Sequence, residues 1–340
     1  MMKILFVAPK YDYGIQELGL SFEYYNFFDT LVGMGHQVEF FDFFTFFHTH
    51  GRERMTDLLG EKLEEMRPDL MFTFLFSDQF DLGRLAKISR ATKAVTFNWF
   101  ADDHWRFENF SRHWAPCFSF VSTTDPEAVP KYHATGYQNV LLTQWAANPR
   151  IYTRGNTPKQ YDVTFVGQPY GDRKSILGTL ARRGIRVRKW GSSWNISLVH
   201  RALRKFGVLN EEAFRRIKAS TRLTQEEMVA VFQTSRINLN LSSASVSGGS
   251  QIKGRNFEIT ACCGFQISGH APRMEEFFEP DKEIVLYRSR DELVERVEYY
   301  LAHDAEREAI AHAGYARVLR DHTYERRFSK LFHRMGLDGK

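Results

Sequence analysis

Cysteine is scarce in this sequence of 340 residues: there are three, and two of them are the neighbours Cys262 and Cys263. They form neither a disulfide framework nor a C-x-x-C pair with zinc spacing, which points to a reducing compartment. Long hydrophobic runs are lacking as well. The nearest approach, Phe40 to Phe47 (FFDFFTFF), is broken by Asp42 and followed by His48, short of the ~18 apolar residues of a membrane helix. A transmembrane class is excluded on that ground. His36, His104, His113, His133 and His322 share no ligand spacing, so no structural metal is expected. The opening MMKILFVAP shows no charged, apolar and small-residue segments in the order of a secretory leader. A cytoplasmic protein is expected. No G-x-G-x-x-G and no Walker sequence is present. Charge of one sign is only mildly in excess, with 46 Lys and Arg against 41 Asp and Glu for a formal net charge of +5.

What is present is a globular composition, 43% hydrophobic and 26% charged, in a chain long enough for two domains. Lys3 to Ala8 (KILFVA) reads as a strand, Ser21 to Val32 as a helix and His36 to Asp42 as a second strand, which makes a βαβ unit and hence a parallel sheet. FFDFFTFF is read as the continuation of that second strand into its turn. Helical spacing at Met55 to Met66 and Leu82 to Ala91 alternates with apolar runs at Asp69 to Phe76, Ala94 to Phe100 and Phe118 to Ser122. Periodicity then lapses between Trp145 and Tyr161, among Asn148, Pro149, Gly155, Asn156 and Pro158. A fresh cycle begins with Asp162 to Gly167 (DVTFVG) as strand, Ser175 to Arg183 as helix and Ile185 to Trp190 as strand. Further strands are expected at Ile237 to Leu241, Phe265 to Ser268 and Ile284 to Tyr287. Further helices are expected at Gln225 to Gln233, Lys253 to Cys262, Arg290 to His303 and Asp304 to Leu319. The expected class is α/β, two doubly wound Rossmann-like domains at 1–155 and 156–319 facing across a cleft, with a C-terminal helix at 320–340 packing back on the first.

Basic residues are densest from Arg182 to Arg222. Solvated helix faces and an anionic partner are both open readings there. Sharper signals sit in two loops. After DVTFVG, Gly167 permits close approach of a ligand to backbone, and Arg173 or Lys174 places a cation at a helix start, a combination that suits phosphate; Gly167 equally suits a plain turn. The segment Ser242 to Gly264 (SSASVSGGSQIKGRNFEITACCG) joins a strand to a helix through a Gly/Ser-rich loop, with Lys253 and Arg255 at the helix N-terminus. A diphosphate fits this set. Glu258, about one turn after Arg255, suits ribose hydroxyls or an ion pair with Arg255. Cys262 and Cys263 are expected to be packing residues on a buried helix face.

The block QIKGRNFEITACCGFQIS, with LTQEEMVAVFQTSRINLNLS before it and EIVLYRSRDELVERVEYYLAHDAEREAIAHAGYARVLRDHTYERRF after it, resembles the C-terminal half of CgeB-like bacterial glycosyltransferases of the GT-B fold, related to the retaining group called family 4. The resemblance runs over about 161–332. NWFADDHWRF and DPEAVPKYHATGYQNVLLTQWAANP resemble the N-terminal domain of the same proteins. It implies transfer of a sugar from a nucleotide-activated donor, held by the C-terminal domain, to an acceptor held by the N-terminal domain. On this pattern Glu258 matches the second glutamate of the E-x7-E motif and holds the ribose, and Arg173 with Lys253 or Arg255 neutralises the pyrophosphate. Ser250 stands where the first glutamate is expected, a departure that bears on sugar contacts and stereochemistry. Trp190 and Gly191 fall where such folds begin to receive the base.

In the first half Asp102, Asp103 and His104 follow the strand VTFNWF, at an end expected to open on the cleft. A carboxylate there suits a general base for an acceptor hydroxyl. Asp102 also suits a helix N-cap. Asp12, Tyr13 and Glu17 in the first loop are placed on the acceptor side by position. The expected function is a metal-independent glycosyltransferase with no cofactor beyond its nucleotide-sugar donor. Its acceptor is a polysaccharide, glycolipid, protein or small molecule, with peripheral contact at an anionic inner-membrane face and no nucleic-acid partner. The alternatives are a nucleotide-sugar epimerase of the same fold and a catalytically inactive sugar-nucleotide-binding protein.

Overall fold

The structure is a computed structural model that describes residues 1–243 and 249–338. Residues 244–248 of the Gly/Ser-rich loop lie outside the described residues. The chain divides into two compact units, Met1–Asn148 with the segment from Tyr324 onward, and Pro149–Thr323. These breaks differ from 155 and 319, and hydrogen bonds give the reason. Asn148 Nδ2 donates to Tyr25 O at 2.7 Å and to Asp29 Oδ2 at 2.8 Å, which ties the chain to the first unit up to that residue. The backbone N–H of Tyr324 donates to Ala147 O, whereas His322 Nε2 lies 2.8 Å from Phe277 O in the second unit.

The first unit is a parallel sheet of six strands: β1 (Lys3–Ala8), β2 (Gln37–Asp42), β3 (Leu70–Thr73), β4 (Val95–Trp99), β5 (Phe120–Thr123) and β6 (Val140–Leu142), in the order β2-β1-β3-β4-β5-β6. Both faces are covered. Leu5 and Val7 point into one apolar cluster with Phe43, Met55, Leu59 and Leu85. Ile4, Phe6 and Ala8 point into the other, with Phe27, Tyr324 and Phe328. A strand buried on both sides reads as a continuous apolar run, as KILFVA does. The helical stretch expected at Ser21 to Val32 includes a wide turn at Tyr24–Phe28 before regular helix at Asp29–Gly33.

FFDFFTFF ends β2 with Phe40 to Asp42, but a helix and not a turn follows. The strand stops at Asp42, and a helix, Phe43–Met66, starts at the next residue and kinks at Gly51, whose φ is 76°. Asp42 makes this sharp corner feasible, accepting from Lys10 N–H at 3.1 Å through one oxygen and from the Thr45 hydroxyl through the other. Phe43 and Phe44 are thereby buried.

The second unit holds five parallel strands: β7 (Tyr161–Val166), β8 (Val187–Trp190), β9 (Ser235–Asn240), β10 (Gln266–Gly269) and β11 (Val285–Tyr287), in the order β11-β10-β9-β7-β8. Val163, Phe165, Ile237, Leu239 and Ile267 share one apolar cluster with the helices Arg173–Arg182 and Arg290–Ala302. Two short helices, Leu198–Lys205 and Glu211–Ala219, interrupt the route from β8 to β9. Cys262 and Cys263 are buried but lie just past the helix Gly254–Ala261, and Cys263 takes the left-handed conformation, φ 55°. In each sheet the strand order reverses once, between β1 and β3 and between β7 and β9. Loops at the carboxyl ends of those pairs are where a doubly wound sheet takes ligands.

Candidate functional site

At the carboxyl end of β7, Gly167 and Gly191 bring two loops into backbone contact. The N–H of Gly167 donates to Trp190 O at 2.8 Å, and Gly167 O accepts from Trp194 Nε1 at 2.7 Å. A Cβ on Gly191, whose φ is +136°, would lie 2.6 Å from Gly167 C. Packing of chain on chain accounts for both glycines, in line with the plain turn that the sequence left open for Gly167. The Trp190 ring meets that of Tyr161 edge-on, with centroids 5.4 Å apart.

Arg173 opens the helix after β7, but its side chain turns back under the loop. Its Nη1 donates to Gln168 O at 2.9 Å, and its Nη2 to Tyr170 Oη at 2.6 Å and to Leu241 O at 3.2 Å. The guanidinium stacks 3.6 Å from the Tyr170 ring centre and is 4% exposed. Burial pulls its pKa down from the usual arginine range, with Tyr170 acting the other way. Arg173 thus ties the end of β7 to the end of β9, a bracing position rather than the open phosphate cation expected from sequence. Lys253 comes to the same phenol: its Nζ donates to Tyr170 Oη at 2.8 Å and to Ser243 O at 2.7 Å. Two cations converge on one phenol oxygen. The nearby carboxylate of Asp172 accepts from the Ser243 hydroxyl at 2.6 Å and stands 3.9 Å from Arg290. Tyr170 was missed by the sequence reading, although its place between Gly167 and a cationic helix start was a usable signal.

Arg255 and Glu258, one turn apart on the helix Gly254–Ala261, form an ion pair through Nη1 and Oε2. Glu258 is buried; Arg255 is half-buried, 2.9 Å from Met228 Sδ and over the Phe232 ring. Of the two roles open for Glu258, the structure shows the pairing with Arg255. Ser250 is exposed, bridges Ser243 in antiparallel fashion and accepts from Ser242 Oγ at 3.3 Å. It therefore closes the base of the Gly/Ser-rich loop. Arg173 and Lys253 meet at the β7/β9 edge, on Tyr170, and Arg255 and Glu258 follow on the helix that leaves it.

At the carboxyl edge of the first sheet the chemistry changes. The loop after β1 is pinched by a bridge between Tyr11 and Leu20 and carries Asp12, Tyr13 and Glu17. Tyr13, with φ 54°, is 49% exposed, and its ring meets that of Phe76, in the loop after β3, at 5.7 Å. Arg106, after β4, donates through Nη1 to Phe76 O at 2.7 Å. Loops after β1, β3 and β4 thus touch one another. Glu17 is exposed on the same excursion.

The Asp102–Asp103 pair separates. Asp102 is half-buried at the N-cap position of the short helix Asp103–Arg106, yet its side chain makes no capping hydrogen bond; its carbonyl receives the N–H groups of Trp105 and Arg106. Asp103 is 1% exposed, and Tyr132 Oη donates to its Oδ2 at 3.0 Å. Burial raises the pKa of Asp103, opposed by the hydroxyls of Ser111, Thr123 and Tyr132. This places Asp103 in the core as a brace, out of reach as a base, and leaves Asp102 as the carboxylate at the edge. Glu23, just after the β1 loop, went unread because an acid two residues past Ser21 resembles ordinary helix-start chemistry. Desolvation, aided by Asp12 and opposed by its own N–H and by Ser21, raises its pKa to about 7. A carboxyl with that pKa exchanges protons near neutrality. Among the described residues no three His, Cys, Asp or Glu side chains converge in a metal-binding group.

Comparison with known proteins bears on this pair of edges. The family described as glycosyl transferase-like matches residues 173–333. The spore protein CgeB of Bacillus subtilis (strain 168) is 23% identical over 220 residues, a match spanning 62% of this chain and 66% of that protein, just under two thirds. Over that span the chain resembles CgeB. HepE of Anabaena, solved in complex with UDP and glucose, aligns with this chain at a TM-score of 0.63 and 14% identity, covering 99% of this chain and 100% of HepE. Sucrose-phosphate synthase from Thermosynechococcus elongatus aligns at a TM-score of 0.59 and 12% identity, covering 99% of each. The fold is therefore GT-B, with two Rossmann-like domains. No helix of the described residues is long and apolar enough to cross a membrane.

Proposed function

We propose that the chain transfers a sugar from a nucleoside-diphosphate sugar, held at the β7/β9 edge, to an acceptor hydroxyl presented at the first sheet, without a metal ion. One observation carries this reading. The glycosyl transferase-like match opens at Arg173 and takes in Lys253, Arg255 and Glu258, so the cation cluster lies inside the matched segment. HepE is solved with UDP, with UDP and glucose, and with UDP-glucose, which makes UDP-glucose the first donor to try.

In the transfer, the acceptor oxygen bonds to the anomeric carbon as the bond from that carbon to the diphosphate oxygen breaks. The bonding pair leaves with the nucleoside diphosphate, and the hydroxyl proton passes to a base. Lys253 and Arg255, beside the N–H groups of a helix start, supply positive charge where negative charge develops. In this reading the diphosphate draws Lys253 from the Tyr170 hydroxyl and Arg255 from Glu258, which frees Glu258 for the ribose. Asp102 is assigned the proton. Incubation with UDP-, GDP-, ADP- and dTDP-sugars, with and without acceptor and in excess EDTA, tests the proposal. Acceptor-dependent release of nucleoside diphosphate that survives EDTA is expected. Conversion of donor alone would indicate an epimerase, absence of both a binding protein, and activity lost to EDTA but restored by Mn²⁺ a metal-assisted transferase.

A further inference from the structure

The helices Leu198–Lys205 and Glu211–Ala219, between β8 and β9, carry an exposed apolar surface apart from the candidate site residues described above. None of the side chains of Leu198–Lys205 is buried. At about 100° per residue Leu198, Ala202, Phe206, Val199 and Leu203 fall on one arc of ~140°, and His200, Arg204, Arg201 and Lys205 occupy the rest. The packing is the reverse of a core-facing helix. The helix Glu211–Ala219 meets the polar side, where Arg204 Nη2 lies 2.8 Å from Glu211 Oε2 and the guanidinium sits 4.5 Å from the Phe214 ring centre. The apolar arc is left to solvent: Leu198 is 83% exposed, Val199 65% and Phe206 77%, with Val208 just beyond at 73%. Elsewhere among the described residues the large exposed apolar side chains do not gather on one helix face; Tyr13 and Phe76 meet as a pair.

Charge surrounds this arc. Between 198 and 222 the basic residues are Arg201, Arg204, Lys205, Arg215, Arg216, Lys218 and Arg222, against Glu211 and Glu212 alone. Both carboxylates are engaged within the insertion, Glu211 by Arg204 and Arg215 and Glu212 by Arg216.

We propose that the insertion is a docking surface for an anionic lipid bilayer, with Leu198, Val199, Phe206 and Val208 entering the acyl boundary and the cations meeting headgroup phosphates. An interfacial helix requires this combination of an aliphatic and aromatic face with Lys and Arg beside it. A second copy of the chain would set cations against cations, and a nucleic acid would leave the aliphatic arc in water. The inference does not rest on the donor reading.

Flotation of the full chain with phosphatidylcholine vesicles, with and without phosphatidylglycerol, is the test. Binding at least ~10-fold tighter to the anionic vesicles, and weakening with salt, is expected. Leu198→Ser with Phe206→Ser should reduce that binding by ~10-fold or more, and Arg201→Glu with Lys205→Glu should abolish the preference for phosphatidylglycerol. All four positions are exposed, so melting temperature should stay unchanged in both variants and report that folding is intact. No flotation of the parent chain overturns the proposal, as does binding indifferent to these substitutions. A dimer that the Leu198/Phe206 variant disperses, with no vesicle binding, would assign the arc to self-association instead, and salt-sensitive RNA binding in place of vesicle binding would assign the cations to nucleic acid.

Discussion

The carboxyl edge of the second sheet gathers cations, whereas that of the first gathers carboxylates and rings. In the second unit Arg173 and Lys253 meet on Tyr170 while Arg255 holds Glu258. In the first, Asp12, Glu23 and Asp102 lie on or beside loops that carry Tyr13 and Phe76. Both sheets are parallel with one reversal of strand order, so topology alone does not separate their roles. Side chains at equivalent loop positions do. Positive charge suits a diphosphate, and carboxyl groups among aromatic faces suit hydroxyl-bearing molecules and their protons.

The sharpest way to break this division is at Asp102. Asp102→Asn should lower kcat by ~10²–10⁴ with donor affinity intact if the proton passes there; near-normal turnover would hand that role to the donor's own phosphate. Asp103→Asn should instead register in thermal melts, since Asp103 is buried on Tyr132. Next in size is Gly191→Ala. A methyl group against Gly167 at φ +136° should cost ~2 kcal/mol or more and several degrees in Tm, and it should disturb the second edge alone. Arg255→Ala should weaken nucleoside diphosphate by about 1–3 kcal/mol and the free nucleoside much less. Equal losses in titration calorimetry would contradict a phosphate role.

The smallest effect is a pH slope. Glu23 keeps its proton up to about 7 in the folded chain against 4.5 for an unperturbed group. Between those values the native state binds more protons than the unfolded one, so stability from this group is full below the window and falls as pH rises through it, by at most ~1.4 kcal/mol per unit. Glu23→Gln should flatten that slope in melts across pH.

Much of the fold was legible because buried parallel strands announce themselves as apolar runs; β1, β7 and β9 lie within two residues of their expected limits. What failed has local causes. Phe43 to Phe47 is as apolar as a strand yet enters helix at once, at a corner where Asp42 accepts from Lys10 and Thr45. β6, three residues long, is too short for any period to register. The helices Leu198–Lys205 and Glu211–Ala219 were hidden in what read as a basic stretch, because an apolar arc facing solvent has no core to mark it. At the candidate sites, residue type pointed to a loop but not to the orientation of a side chain. Asp102 stands at the N-cap and Asp103 is the first residue of the short helix, and that one step sends one carboxylate into the core. Arg173 and Gly191 likewise sit where the pattern put them, held there by protein contacts that spacing alone does not reveal.

The central claim is that the β7/β9 edge holds a nucleoside diphosphate through its cations. Calorimetric titration of UDP and of uridine into the parent chain and into Lys253→Ala tests it most directly. The account predicts that UDP binds the parent more tightly than uridine and that Lys253→Ala reduces this difference by ~10-fold or more, a charge-assisted phosphate contact being worth about 1.5–3 kcal/mol. An unchanged difference between UDP and uridine in a folded Lys253→Ala chain would contradict it.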